Sequence, residues 1–166
     1  TCADFQNLSA YTNSGGKTKG MYFKLTPASL NESGALEMSL VEPVGTPLHP
    51  FMGIFDGNNI TLTGATLATS ARGVTGVFGT IKFATIQNLT VSYNAIETKS
   101  TILGGIVAMA YSANVINCQN KTEINNTQNS SLVAGIVGYA FNTIIENCAH
   151  NAKIVCNGGQ NDGGIA

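Results

Sequence analysis

The segment GGIVAMAYSANVINCQN, Gly104 to Asn120, returns as AGIVGYAFNTIIENCAH, Ala134 to His150. A chain that repeats itself is constrained more by the repeat than by any single residue, because each copy must find the environment of the copy before it. The register runs beyond these two segments. Gly76, Gly105, Gly135 and Gly164 lie 29, 30 and 29 residues apart, and Val77, Ile106, Ile136 and Ile165 follow in step. So do Phe78, Val107 and Val137, then Asn88, Asn117 and Asn147, then Leu89, Cys118 and Cys148.

A period of about 30 residues admits few architectures. The apolar runs within it are short and are broken by Gly, Asn and Ser, whereas helical repeats need ten or more periodic residues without such breaks. Two or three short strands per repeat fit. Ile124 and Ile154, seven residues past Asn117 and Asn147, mark the third. One repeat cannot close a core alone, but stacked repeats share one. The expected fold is therefore all-β: a parallel β-solenoid, or β-helix, right-handed by the usual rule for parallel crossovers. Equal residues then stack in columns, and Gly105 and Gly135 sit where the coil turns or backbones approach closely. A propeller is the rival, but its blades run longer and favour aromatics, and this chain has no Trp.

The first 50 residues read as the entrance to the solenoid, and 51–166 as its repeats. Thr1 and Asp4 have the form of a capping box, Phe5, Leu8 and Tyr11 recur at spacings of three, and NSGG at Asn13 to Gly16 ends the helix so predicted. A strand follows at Met21 to Thr26. The first coil of a solenoid presents an unpaired edge, and this helix is placed to cover it. DGN at Asp56 to Asn58 is a turn, either an irregular hairpin or a corner feeding the coils. The final GGI reads as the opening of another repeat, so the chain reads as a segment of a longer one.

Composition narrows the function. Only 10% of residues are charged, the formal net charge is -1, and Arg72 is the only arginine, so no field is concentrated on a polyanion. Neither a nucleic-acid surface nor insertion of this segment into a membrane is expected, since no run approaches the roughly 18 apolar residues a span needs. The four cysteines form no CxxC pair, which disfavours zinc and thioredoxin-like chemistry.

The runs F-x-G-x-F-D-G-N at Phe51 to Asn58, GVFG at Gly76 to Gly79, IQNL at Ile86 to Leu89, GGIVAMA, VINC, GIVGYA and IIENC together resemble the GLUG-type repeats of bacterial surface proteins. The family unit opens G-G-[LIF]-[VA]-G. Gly104–Ala108 and Ala134–Gly138 match it with one departure each, Ala108 for the last glycine and Ala134 for the first. The resemblance covers Phe51 to Ala166. It implies a β-helix in a secreted or wall-attached bacterial protein, hence an extracellular or cell-surface location. It supplies no active site.

The candidate sites follow from these readings. Asp56, in its turn, is expected to bond local backbone. Glu97, Glu123 and Glu146 do not share a phase of the repeat, so they form no carboxylate pair of the kind that cleaves glycosides. His49 and His150 lack a third ligand at zinc spacing. Cys118 and Cys148 are expected one coil apart as a buried thiol ladder, with a disulfide as the alternative. Asn88, Asn117 and Asn147 are expected to form an inward Asn ladder at a coil corner. The stretches Ser92–Thr101 and Asn125–Ser131 are read as protruding side loops. Tyr93, Tyr111 and Tyr139 are the candidate ligand-facing residues.

The sequence therefore predicts no catalytic site, no cofactor and no metal. It predicts a non-catalytic segment that extends, displays or adheres. A host glycan, an extracellular matrix protein, or further repeats of the same chain would be its partners. A carbohydrate-binding module is the second reading, and a polysaccharide-degrading enzyme a distant third.

Overall fold

The computed structural model describes residues 1–26, 30–64, 66–67, 73–94, 96–127, 131–156 and 161–166. It shows one short helix followed by short strands, each hydrogen-bonded to the strand one coil away. The first coil carries β1 (Tyr22–Lys24), β2 (Ala35–Glu37) and β3 (Leu40–Val41). The second carries β4 (Ile54–Asp56), β5 (Thr61–Thr63), β6 (Thr66–Leu67), β7 (Val74–Thr75) and β8 (Phe78–Lys82). The third has β9 (Thr85–Gln87), β10 (Thr90–Ser92), β11 (Ile96–Thr98), β12 (Ile102–Gly104) and β13 (Val107–Tyr111). The fourth has β14 (Asn114–Ile116), β15 (Gln119–Asn120), β16 (Ile124–Asn126), β17 (Leu132–Ala134) and β18 (Val137–Phe141). Beyond it run β19 (Ile144–Glu146), β20 (Ala149–His150), β21 (Ile154–Cys156) and β22 (Asn161–Gly163).

All pairings are parallel and in register. In one column Tyr22, Ile54, Thr85, Asn114 and Ile144 stack, advancing 32, 31, 29 and 30 residues per turn. The fold is a β-solenoid of about four turns. Its complete coils hold five strands rather than the two or three expected. The reason is the brevity of each strand: two to five residues between corners, too short to leave a strong period-two signal. DGN is a corner, because β4 and β5 lie in different sheets.

The corners explain the Gly and Asn content. Asn88, Asn117 and Asn147 have φ of 54°, 53° and 52°, the left-handed region where Asn is among the few tolerated side chains. A methyl group on Gly105 would collide with the Asn120 amide and the Gly135 carbonyl, whereas Gly164 has nothing within 4 Å. The glycine column is thus sterically required where a coil lies above it.

The core is a single column of apolar side chains. Its aromatic part lies at the N-terminal end, where Phe78 meets Phe5, Phe51 and Phe55 at centroid distances of 6.3, 5.4 and 5.1 Å. Further along, the filling becomes aliphatic: Phe55, Ile86, Val115 and Ile145 occupy equivalent positions.

The helix α1 (Cys2–Asn13) starts with the expected capping box between Thr1 and Asp4. It lies over the first coil and meets that coil's polar backbone. Ser9 Oγ donates to the carbonyls of Glu42 and Pro43, Asn13 Nδ2 donates to Pro43 O, and Asn13 Oδ1 accepts from Gly45 N–H. Its buried face is Phe5, Ser9 and Thr12, while Tyr11 is exposed, contrary to the spacing-of-three reading. Ser9 faces inward because the coil edge it covers is itself polar, and the buried Thr12 hydroxyl donates to Leu8 O within the helix.

Candidate functional site

The sheet formed by β8, β13 and β18 carries two side-chain columns on its outer face, exposed at Lys82, Tyr139 and Phe141 and covered at Thr80. Thr80, Met109 and Tyr139 form one, and Lys82, Tyr111 and Phe141 the other. Tyr111 and Tyr139 lie diagonally across neighbouring coils with ring centroids 5.7 Å apart and planes tilted by 50°. Phe141 is 60% exposed. Pro47 and Pro50 wall the face at its first-coil end, and with Lys82, Tyr111, Ser112 and Phe141 they enclose an open groove of about 380 Å³. Burial, then the neighbouring Tyr139 phenol, raise the Tyr111 pKa, so at neutral pH its hydroxyl stays protonated and able to donate.

Immediately past this sheet comes a second left-handed corner: Phe83, Ser112 and Asn142, with φ of 52°, 47° and 49°. Ser112 and Asn142 are small and polar, and Asn142 Nδ2 donates to Ser112 Oγ. Phe83 is neither, and its ring is 60% exposed. A bulky side chain in this backbone region costs about 1–2 kcal/mol, and exposure returns little burial energy. Lys82 Nζ stands 5.3 Å from the Phe83 ring centroid, within the range of a cation–π contact.

The three candidate tyrosines separate. Tyr111 and Tyr139 sit on this face. Tyr93 does not: it is 4% exposed, and burial, then the Cys2 thiol nearby, push its phenol upward. Tyr93 follows Val91 by two residues, so it shares the inward side of β10. Its hydroxyl is buried with no hydrogen-bond partner.

Parts of the two expected side loops are solenoid wall. Ser92 belongs to β10 and residues 96–98 to β11, which pairs with β16 at residues 124–126. Asn126 is buried, accepts from Ser100 N–H and donates to Ser100 O and Ser131 Oγ. The polar residues that suggest a loop in the sequence instead satisfy each other inside. Ala95 and residues 128–130 lie outside the described residues.

Of the three asparagines expected to form a ladder, Asn88 and Asn117 bond to each other, and the corner they occupy turns outward. Asn117 Nδ2 donates to Asn88 Oδ1 at 3.2 Å, and Asn88 Nδ2 donates to Asp56 Oδ1 at 3.0 Å. Asn117 and Asn147 are exposed, because a left-handed corner turns the side chain away from the core. Asp56 anchors the ladder, taking the Tyr22 hydroxyl at 2.7 Å and the Asn58 N–H at 2.8 Å. Burial alone would raise its carboxyl; the hydrogen bonds from Tyr22, Asn88, Asn58 and Gln87 outweigh that and hold it at about 2.

Cys118 and Cys148 are free thiols, one coil apart. Cys118 is fully buried and directs its thiol toward the carbonyls of Ile116 and Ile86, while Cys148, half-buried, faces those of Glu146 and Val115. The hydrogen bond between the two sulfurs and burial raise Cys118, and the same hydrogen bond lowers Cys148, so Cys148 is the member that ionises first.

His49 packs over Gly15. His150 ends the inward column of Leu62, Val91 and Asn120. Asn120 there donates to Gly135 O at 2.8 Å, but both nitrogens of His150 are buried without a partner, and burial lowers its pKa. Among the described residues no three His, Cys, Asp or Glu side chains gather where they could hold a metal ion, and no helix is long and apolar enough to cross a membrane.

Sequence reasoning missed Phe83 and Phe141. Phe141 was detectable, because it shares the phase of Tyr111 in the repeat. Phe83 was not, because its significance lies in a backbone angle. No protein family, curated protein or solved structure matches this chain.

Proposed function

We propose that this chain is a non-catalytic structural and adhesive segment of a bacterial surface or secreted protein. It acts as a stiff rod that holds an adhesive face, and any domains joined to it, away from the envelope. The supporting observation is the continuity of the sheets. Strands join every coil to the next through several parallel ladders, so bending the rod strains many backbone hydrogen bonds at once. The GLUG-like repeats support the surface location by resemblance.

Stretching single molecules between the two chain ends tests the rod. Coils that yield one at a time lengthen the tether in steps of roughly 10 nm, the extended length of about 30 residues. Smooth lengthening at low force, without such steps, would contradict the reading.

Carbohydrate binding is the second reading. The Tyr111–Tyr139–Phe141 face beside the proline-walled groove favours it. Aromatic faces with a few placed polar groups are the usual lining of small-molecule sites.

A further inference from the structure

The outer face of the β8–β13–β18 sheet combines features that structural stability does not require. Three rings, Phe83, Tyr139 and Phe141, are 60%, 37% and 60% exposed. Tyr139 and Phe141 stand with Tyr111 on the face, and Phe83 stands at the corner beside Lys82; exposed aromatics grouped in this way mark an interaction site. Phe83 also occupies a left-handed corner that the next two coils fill with Ser112 and Asn142. A residue that is both strained and exposed adds nothing to the core, and retained strain of this kind concentrates at functional positions.

The companions of the rings indicate what would bind. Ser112 and Asn142 stand at the corner beside Phe83, and Thr143 follows. Their hydroxyls and amide each donate and accept hydrogen bonds without carrying charge. Rings that take the C–H face of a pyranose, beside uncharged groups that match its hydroxyls, are the chemistry of sugar recognition. From the Pro47–Pro50 wall to Phe141 the face crosses three coil steps, about 14 Å at the spacing of neighbouring strands, which suits a short oligosaccharide. Among the described residues Lys82 is the one charged side chain lining the groove. A lone ammonium there, with no acid lining the groove to neutralise it, selects for a carboxylate.

We infer that the face formed by Tyr111, Tyr139, Phe141 and Lys82, with Phe83 at its corner, binds a uronate-containing oligosaccharide. This deepens the reading of the chain as a non-catalytic adhesive segment and rests on it. The rings supply contact area. Lys82 supplies the preference for an acidic sugar over a neutral one.

The test is an NMR titration of the ¹⁵N-labelled protein with a uronic acid tetrasaccharide and, separately, with its carboxyl-reduced counterpart. The uronate should shift the amides of residues 80–83, 109–112 and 139–143, and leave those of the core residues Ile86 and Val115 in place. The double variant Tyr111→Ala, Phe141→Ala should bind at least tenfold more weakly, as expected for truncating central aromatics. Lys82→Gln should weaken uronate binding about threefold and leave the neutral sugar unaffected, and Lys153→Gln, on another face, should change neither. Unchanged core amides show that each variant is folded.

Absence of shifts at millimolar uronate overturns the inference, as does unaltered affinity in the double variant. Equal binding of both sugars overturns the acidic preference. Shifts on this face that depend on protein concentration rather than on sugar would make it a contact between copies, and also overturn it. The rod reading is judged separately, by stepwise extension, and survives any of these failures if the steps are seen.

Discussion

The two ends of the solenoid are built from the same coil and solve different problems. At the N-terminal end α1 lies over the first coil, Phe5 closes the core, and Ser9 and Asn13 satisfy the coil's backbone. Toward the C-terminal end the repeat is most regular, yet Ile145, Cys148, Ile154 and Cys156 are only partly buried against the core. Regularity and stability are thus separate properties here. A coil is as stable as its contacts with the neighbours on its two faces, and a regular sequence does not by itself supply those contacts.

Substitutions along the axis sharpen this contrast. The largest loss should come from Phe78→Ala, which removes a fully buried ring touching three others. About 4 kcal/mol is expected, read as a lower urea midpoint. Next is a matched pair in one inward column. Ile86→Ala should cost about 3 kcal/mol and Ile145→Ala about 1 kcal/mol, because the second site already touches solvent. Equal losses would break the comparison between the ends.

Asp56→Ala should cost about 2 kcal/mol by removing the charged acceptor that Tyr22, Asn88 and the Asn58 N–H share. The Asp56 carboxyl, held at about 2 in the fold, is depressed below its unfolded value of about 3.9. Its contribution is therefore present above pH 4 and is lost as pH falls from there toward 2. Acid unfolding of the wild type in that window, absent in the variant, checks the sign.

The smallest effect belongs to His150. Its folded pKa is lowered by burial, so the neutral form is favoured in the fold. The stability this represents is present above the unfolded value of about 6.5 and is lost as pH falls below it. The last coil should loosen on acidification from pH 7.5 to 5. His150→Asn, which places at this position the residue that its column neighbour Asn120 already is, should abolish that dependence and change stability at pH 7.5 by less than about 1 kcal/mol. Amide exchange in β20 at the two pH values distinguishes the variants.

How far the sequence could be read follows the same division. The period set the architecture, and the columns of Ile106 with Ile136 and Val107 with Val137 could be placed from it directly. The turn role of Asp56 was legible because Asp-Gly-Asn satisfies its own backbone locally. Side-chain direction was less so. Asn88 and Asn117 looked inward by analogy with buried ladders, but a positive φ turns them out. Tyr93 and Tyr111 looked alike in the sequence, yet two-residue alternation from Val91 sends Tyr93 inward, while Tyr111 lies on the outward side of β13. The polar runs around Ser100 and Asn126 looked like loops because buried hydrogen-bond networks and solvated loops draw on the same residues.

Residue-resolved hydrogen exchange can decide whether the helix-capped first coils are more stable than the coil of β19–β21, whose apolar side chains are only partly buried. The strongest protection is expected in β4, β5, β9, β10 and β14, with α1 protected alongside the first coil. Protection should then decline through β19, β20 and β21. Equal protection in every coil, or an α1 that exchanges freely while the first coil remains protected, would contradict it.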